Sequence, residues 1–223
     1  MKNNVLEYNE TNISNSWDYE NGFYLTSPVN RMGKQLAQYE LYKKIVNIPG
    51  EILEFGVYKG ASIIRFATYR ELLENTYYRK IIGFDIFGEF PKTDNDDDNK
   101  FIQRFEEQGG NGISKEALED FIKNKNINNI ELIKGNVFDT LDEFLEKNKQ
   151  IKISLLHLDL DVYKPTKFIL EKLYERMVPG GIIVFDDYGT VKGATDAIDE
   201  FLKEKNKKTE KLSLCYIPSF VVK

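Results

Sequence analysis

The stretch LLHLDLDVYKPT, residues 155–166, is followed along the chain by PGGIIVFDDY, residues 179–188. Each contains a short apolar run of strand length that ends in two carboxylates. The other apolar runs after Gly50 are equally short, and segments with helical spacing separate them. Strands that alternate with helices in this way form a mostly parallel sheet with crossover helices on its faces. The sequence therefore predicts a doubly wound α/β fold.

The same alternation predicts where the elements lie. Strands are expected at residues 51–57, 80–87, 129–136, 151–161 and 181–188, with a closing hairpin at 211–216 and 220–223, which makes a seven-stranded sheet. Helices are expected at residues 60–75, 114–125, 140–148, 165–177 and 193–205. Residues 88–112 do not fit the alternation and carry four aspartates between positions 94 and 98. We expect a solvated loop over the site there.

The first 49 residues differ in pattern from the rest of the chain. Residues 1–25 show no sustained period and predict a loosely structured arm, whereas apolar residues from Met32 to Val46 recur at helical spacing. That amphipathic helix would be either a lid over a pocket or a packing surface against the domain or a second subunit. Residues 50–223 would form the α/β domain, and the apolar helix favours a homo-oligomer.

Composition excludes several classes of function. The 223 residues carry a formal net charge of -5, with one histidine and one cysteine. Such a chain is not expected to bind nucleic acid or an anionic membrane. Without an apolar stretch of membrane-spanning length or a signal-peptide core, we expect a cytoplasmic protein. The usual zinc ligand sets cannot be assembled, and a nucleophilic triad would have to use His157, which lies inside an apolar run.

Aspartates mark the ends of the two strands quoted first. The carboxyl ends of neighbouring parallel strands meet at one edge of the sheet, where open α/β sheets bind ligands. Alternation would place His157, Asp159 and Asp161 on one face, near Asp186 and Asp187. Crowded carboxylates raise one another's pKa unless a cation lies between them, and Mg²⁺ prefers oxygen ligands. The sequence predicts a metal or cofactor site, with helix capping and surface salt bridges as the alternative. His157 would be either a satisfied core residue or a contact behind the aspartates.

A second candidate site lies at EFGVYKGAS, residues 54–62, where an apolar strand runs into two glycines and then a helix. Glycine lets the backbone approach a ligand, and the first amides of a helix can receive a carboxylate or phosphate. Tyr58 interrupts the G-x-G-x-x-G pattern, which disfavours tight binding of a pyrophosphate, and a purely structural turn is the alternative. Asp85 closes the next strand, where it would accept hydrogen bonds from a ribose diol unless it caps a helix.

With these residues the chain resembles the macrocin O-methyltransferase family of class I S-adenosylmethionine-dependent methyltransferases. The resemblance rests on EFGVYKG at 54–60, GFD at 83–85, GN at 135–136, DLDVYKPT at 159–166, GG at 180–181 and DDY at 186–188. It implies a class I, Rossmann-like methyltransferase domain that binds S-adenosyl-L-methionine and Mg²⁺. It also implies that the acceptor is a hydroxyl of a sugar or a glycosylated small molecule.

The resemblance further implies roles for individual residues. Mg²⁺ would be held by Asp159, Asp186 and Asp187, and Asp159 or Asp161 would act as the catalytic base. Asp161 would alternatively bind the metal or the amino group of the cofactor, because the sequence does not decide which of this pair faces which group. The residues expected to contact the cofactor are Glu54, Gly56, Tyr58, Gly60, Ser62, Asp85, Asn136, Val137 and Asp161.

Two other functions remain open on the residues themselves. An NAD(P)-dependent sugar-modifying oxidoreductase would use the same type of sheet, but it predicts the complete glycine pattern, which this chain lacks. A non-catalytic binding protein would explain the N-terminal helix as a partner surface, but it gives no reason for four converging carboxylates.

Overall fold

A seven-stranded sheet organises the part of the chain that the computed structural model describes, which is residues 7–8, 11–91 and 93–223. Its strands are β3 (Glu51–Phe55), β4 (Ile81–Asp85), β5 (Ile130–Lys134), β6 (Ile153–Leu158), β7 (Met177–Phe185), β8 (Glu210–Lys211) and β9 (Ser219–Val222). They lie in the order β5-β4-β3-β6-β7-β9-β8. The strands from β3 to β7 pair in parallel, whereas β9 is antiparallel to β7 and to β8. The predicted doubly wound, mostly parallel sheet is confirmed.

Helices cover both faces of this sheet. They are α1 (Ser16–Thr26), α2 (Val29–Ile45), α3 (Ala61–Leu73), α4 (Asp96–Gly109), α5 (Lys115–Asn124), α6 (Val137–Lys147), α7 (Tyr163–Leu173) and α8 (Lys192–Lys205). Short 3₁₀ helices lie at Ile13–Asn15 and Tyr174–Arg176, and the strands β1 (Glu7–Tyr8) and β2 (Thr11–Asn12) pair as a separate hairpin. Helices α6, α7 and α8 pack in one hydrophobic core, and α2, α3 and α5 pack in the other.

The two cores follow from period-two alternation along strands that are buried on both sides. In β3, Leu53 and Phe55 belong to the core with α6 to α8, whereas Ile52 belongs to the core with α2 and α3. Phe55 stacks on Phe84 of β4 with ring centroids 4.5 Å apart. Full burial of one such side chain stabilises the fold by about 1.5–3 kcal/mol. Continuous apolar strands are therefore held rigidly, and so are the residues that follow their ends.

The carboxyl ends of β3 and β6 form the switch point of the fold. The chain leaves β3 for β4 and β5 on one side and returns to β6 on the other, so the connections diverge above these two strands. Beyond the strands, the amide of Asp159 donates to the carbonyl of Phe55 at 2.9 Å. Gly56 has a positive φ of 89°, and a Cβ there would overlap the carbonyl oxygen of Asp159. The close approach of two backbones therefore requires glycine at this position.

The region from residue 88 to 112 was predicted wrongly as a loop, because it contains α4. The side chain of Asn95 caps this helix by accepting hydrogen bonds from the amides of Asp97 and Asp98 at 2.8 and 3.2 Å. Acidic residues in the first turn are favourable beside the positive end of the helix dipole. The acidic run is therefore a helix start, and Asp98 is buried within the fold instead of being solvated.

Other boundaries also differ from the prediction. Residues 16–26 of the predicted loose arm form α1, which has no buried residue, while residues 1–6 and 9–10 lie outside the described part of the chain. Helix α6 begins at Val137 instead of Thr140 because Asn136 caps it, and β7 begins at Met177 instead of Gly181. Of the predicted first strand of the closing hairpin, residues 211–216, only Lys211 lies in β8. Among the described residues, no helix is both long enough and apolar enough to cross a membrane.

Candidate active site

A cavity of about 900 Å³ opens above the switch point. Its walls come from the loops after β3, β4, β5, β6 and β7, from α4, and from the first turns of α2. The volume is near the upper end of the roughly 300–1,000 Å³ found for pockets that enclose one drug-sized ligand. Because pockets for one such ligand begin at about 300 Å³, a cavity of about 900 Å³ has room for two small molecules.

The loop after β3 forms one wall and is held by Asp85. One carboxylate oxygen of Asp85 accepts hydrogen bonds from the amides of Val57 and Tyr58 at 2.7 and 2.9 Å, and the other accepts from Phe87 at 2.6 Å. Asp85 lies at the predicted edge of the sheet, but its first role is to fix this loop. One acceptor position remains on the oxygen that faces Phe87, since a carboxylate oxygen carries two lone pairs.

The first turn of α3 lies next along this wall. Gly60 has a positive φ of 82°, and no side chain of the described residues caps the helix that begins at Ala61. The first amides of a helix have no acceptor within the helix, and they suit a carboxylate or phosphate. Tyr58 connects the loop to α4 through a hydrogen bond from its hydroxyl to the carbonyl of Gly109 at 2.6 Å. Ser62 also lines the cavity, and its hydroxyl donates to the buried carboxylate of Glu54.

Asn136 and Val137 line the opposite end of the cavity, where β5 leads into α6. The side-chain oxygen of Asn136 accepts a hydrogen bond from the amide of Phe138 at 3.2 Å. Ile86 and Phe138 add apolar surface to the same end. Such surface beside Asp85 fits a nucleoside, whose base is apolar on its faces and whose ribose carries hydroxyl donors.

The four predicted aspartates converge on the floor of the cavity. Ligand atoms of Asp159, Asp161 and Asp187 all lie within 4.8 Å of one another, and those of His157, Asp159 and Asp186 form a second such group. The backbone amide of Asp161 donates to Asp187 at 3.0 Å. Strand β6 ends at Leu158, and Asp161 has a positive φ of 66°, so strand alternation is not what brings Asp161 to the site. The turn after the strand does so.

His157 lies behind the aspartates and is fully buried. Its Nδ1 is 3.6 Å from Glu54, and its Nε2 is 3.5 Å from Asp186. Burial lowers the pKa of His157, but the flanking carboxylates of Asp186 and Glu54 raise it by more than burial lowers it, so the pKa is about 10. Of the two roles considered from the sequence, the contact behind the aspartates is the one that the structure shows.

Residues 30–216 match the family model of macrocin O-methyltransferase (TylF). The chain belongs to the macrocin O-methyltransferase family. This confirms the resemblance seen in the sequence. Membership of a family of methyltransferases favours methyl transfer over the two other functions considered there.

Individual relatives agree with this membership. A tetracenomycin rhamnosyl 4'-O-methyltransferase of Streptomyces olivaceus, 8-demethyl-8-(2,3-dimethoxy-alpha-L-rhamnosyl)-tetracenomycin-C 4'-O-methyltransferase, is 24% identical over 158 residues, which cover 69% of this chain and 58% of that protein. The crystal structure of CalS11, a calicheamicin methyltransferase, is 26% identical with a TM-score of 0.77, and the match covers 93% of this chain and 85% of that one. The O-methyltransferase NovP shares the fold at 21% identity and a TM-score of 0.73, over 86% of this chain and 79% of its own.

In this member of the macrocin O-methyltransferase family, α2 supplies a cation to the acid cluster. Lys34 forms an ion pair with Asp186, and about a fifth of the lysine side chain remains exposed. Burial lowers the pKa of Lys34, but the charges of Asp186 and Asp159 raise it above its ordinary value. Burial alone would raise the pKa of Asp186, but His157 and Lys34 hold it below its usual range. Asp186 is therefore ionised between two cationic groups.

Among the described residues, the remaining aspartates form no direct ion pair. Burial and the charges of Asp186 and Asp187 raise the pKa of Asp159 well above its usual range. Burial and the charge of Asp161 raise the pKa of Asp187 well above its usual range. Burial and the charge of Asp159 raise the pKa of Asp161 to about 7. Repulsion among these three carboxylates is unfavourable, and a cation placed among them would relieve it. The all-oxygen set of donors fits Mg²⁺.

The basic residues of this cavity were not predicted from the sequence. Arg31 and Lys34 of α2 and Arg65 of α3 all line it. A signal was present, because the apolar stripe formed by Leu41 and Ile45 continues towards the start of α2 at helical spacing through Gln38, Lys34 and Arg31. Polar residues on the face of a helix that is otherwise buried indicate a site beneath it.

Proposed function

We propose that this protein is an S-adenosylmethionine-dependent O-methyltransferase that methylates a sugar hydroxyl with the help of Mg²⁺. The observation that carries the proposal is the convergence of four carboxylates at the carboxyl edge of the sheet, beside a cavity with room for two ligands. The family supports methyl transfer. Its relatives support the acceptor, since one is named a rhamnosyl O-methyltransferase and CalS11 is described as a TDP-rhamnose 3'-O-methyltransferase.

The cofactor would lie along the wall made by the ends of β3, β4 and β5. The first turn of α3 would receive the carboxylate of its methionine portion, near Gly56 and Gly60. The remaining acceptor position of Asp85 would take a ribose hydroxyl, and the residues from Asn136 to Phe138 would contact the adenine. When bound, S-adenosylmethionine supplies a methyl group that passes to the acceptor oxygen as the carbon–sulfur bond breaks and its electron pair stays on sulfur.

The acceptor would lie above the aspartates. Asp159, Asp186 and Asp187 would hold Mg²⁺, since Asp159 belongs to the groups that contain each of the other two. When bound, this ion would lower the pKa of an acceptor hydroxyl and fix its orientation. Asp161 lines the cavity next to Asp159, and one of these two would take the hydroxyl proton and pass it to water. Fixing the reactants in this way can remove roughly 7–11 kcal/mol of the barrier.

The test separates cofactor binding from methyl transfer. Asp187→Asn should keep the affinity for S-adenosylhomocysteine within about twofold, because Asp187 lies on the acceptor side, and should lower turnover by more than about a hundredfold. Calorimetry measures the first quantity. Mass spectrometry of rhamnose-bearing acceptors, which shows a methyl group in place of a hydrogen, measures the second. The exposed Asp120→Asn is the matched control.

Two results would count against the proposal. Full turnover in excess EDTA would contradict the proposed need for Mg²⁺. Failure of the wild-type protein to bind S-adenosylhomocysteine would remove methyl transfer altogether.

A further inference from the structure

Among the described residues, five basic side chains line the cavity, and they differ in whether they have a partner. Three of them do: Lys34 pairs with Asp186, Lys164 pairs with Asp94, and Lys59 donates to the carbonyl of Gly109 at 2.5 Å. The other two are Arg31 and Arg65. Within residues 7–8, 11–91 and 93–223, neither arginine has a carboxylate within 4.0 Å. Two guanidinium groups therefore face the cavity without a counter-ion.

Arg65 is held in place by a hydrogen bond to a buried side chain of α2. One of its terminal nitrogens donates to the side-chain oxygen of Gln38 at 3.2 Å. Gln38 is fully buried in α2, and its amide nitrogen has no partner among the described residues. A buried polar group is costly unless its hydrogen bonds are made. Of the five N–H donors of Arg65, one is used in this way, and the rest are available for a ligand.

Arg31 adds a second positive charge to the same wall. It lies in the first turn of α2, where the helix dipole is also positive. Burial lowers the pKa of Arg65, and the charge of Arg31 lowers it further, so the two groups oppose each other. An anion between them would remove this repulsion. Arginine pairs bind phosphate with two parallel hydrogen bonds from each guanidinium group, and this makes phosphate the best-matched anion.

The position of the pair assigns this anion to the acceptor. Arg31 lies one turn before Lys34 on α2, and Lys34 contacts Asp186. Gln38, which contacts Arg65, lies one turn after Lys34, so the arginines adjoin the acid cluster where the acceptor hydroxyl would lie. The carboxylate of the cofactor would bind at the uncapped first turn of α3 and would not need the arginines. In a sugar nucleotide, a diphosphate is attached to the same ring as the hydroxyl that is methylated. A finished glycoside carries no such group.

We propose that Arg31 and Arg65 form a phosphate subsite, and that the acceptor is a nucleoside diphosphate sugar. The proposal rests on the function proposed above and specifies its substrate. It also places the reaction in an order. The methylated sugar nucleotide would next be consumed by a glycosyl transfer, which breaks the bond between the sugar and the diphosphate.

Calorimetry with thymidine diphosphate, thymidine and S-adenosylhomocysteine tests the subsite. The wild-type protein should bind thymidine diphosphate more tightly than thymidine. The variants Arg31→Gln and Arg65→Gln should each weaken the diphosphate by about tenfold or more, while S-adenosylhomocysteine stays within about twofold. Lys43→Gln, an exposed position on the same helix, is the matched control and should change neither affinity. Arg31 is exposed, so its variant keeps the test valid even if the Arg65 variant does not fold.

Turnover provides an independent measurement. The ratio of kcat/KM for TDP-rhamnose to that for methyl rhamnoside should exceed about tenfold in the wild type and should fall in both arginine variants. If both variants lose S-adenosylhomocysteine instead of the diphosphate, the arginines hold the cofactor and the inference is overturned. If the wild type binds S-adenosylhomocysteine but not thymidine diphosphate, the subsite is overturned and the proposed methyltransferase stands. If the wild type binds neither ligand, both the subsite and the proposed methyltransferase activity are overturned.

Discussion

Replacing Lys34 by methionine removes the cation that α2 places among the aspartates. The lysine contacts Asp186, and the side chains are 20% and 6% exposed. Methionine preserves most of the apolar stem, so the variant isolates the loss of charge. Asp186 would keep His157, whose Nε2 is 3.5 Å away, as its remaining cationic neighbour.

The size of the effect follows from this burial. Removing one partner of a buried ion pair costs about 3–5 kcal/mol. Because Lys34 is partly exposed and Asp186 retains His157, we expect about 2–3 kcal/mol for the metal-free protein. A chain of this length loses about 2–4 °C in Tm for each kcal/mol, so Tm in EDTA should fall by about 4–12 °C.

Thermal denaturation with and without Mg²⁺ also tests whether the ion and Lys34 compete for the same carboxylates. If the ion uses the same carboxylates, it has to displace Lys34 in the wild type but not in the variant. Magnesium should then raise the Tm of Lys34→Met by more than it raises that of the wild type. Lys43→Met removes an exposed ion pair on the same helix and should leave Tm and its magnesium dependence as they were. Equal magnesium shifts in wild type and variant would refute the competition, and an unchanged Tm in EDTA would refute the stabilising ion pair.

Three further changes test the scaffold. Asp98→Ala removes the carboxylate that accepts a hydrogen bond from the amide of Tyr163, the first residue of α7. The change should lower the free energy of unfolding in urea by about 1–2 kcal/mol, and Asp98→Asn should recover most of this loss. Equal losses in the two variants would contradict this capping role. Arg70→Met removes a buried donor from the carbonyls of Arg79, Asn128 and Asn129. Because the carbonyls of Arg79 and Asn129 keep a second donor, the change should cost about 1–3 kcal/mol by thermal denaturation, and an unchanged Tm would show that water replaces the guanidinium group. Gly56→Ala places a Cβ on the carbonyl of Asp159 and should abolish the native circular dichroism spectrum, so a folded variant would contradict the close approach.

The sheet could be predicted because its strands are buried on both faces. A run such as Ile182 to Phe185 has no other stable place in a chain of this size, and the acids after it fall at the carboxyl edge whatever the details of the turns. The positions of Asp159, Asp186 and Asp187 follow from strand ends alone. For these residues, period and order along the chain carry most of the structural information.

Turns and caps could not be predicted in the same way. Asp161 reaches the cluster through a positive φ, which a sequence pattern for a strand does not show. Asp85 was placed correctly, but its bonds to the amides of Val57 and Tyr58 depend on the path of a loop. The acids after Asn95 were taken for solvated charge, although the same residues are favourable at a helix start. In each case the outcome depends on a backbone conformation and not on hydrophobic pattern.

The division of the chain at residue 50 separates two sequence patterns, but the site extends across it. The second half of α2 is fixed in the core by Leu41 and Ile45, and in its first half a Cβ at Gly33 would overlap the carbonyl of Leu214 from the end of the chain. Both halves are therefore packed against the α/β domain. This packing against the domain is one of the alternatives expected from the apolar stripe of the helix. The helix also brings Lys34 to the aspartates and Arg31 to the cavity wall. Because the same helix carries the competing cation and the proposed phosphate contact, metal binding at the aspartates and phosphate binding at the arginines should depend on each other.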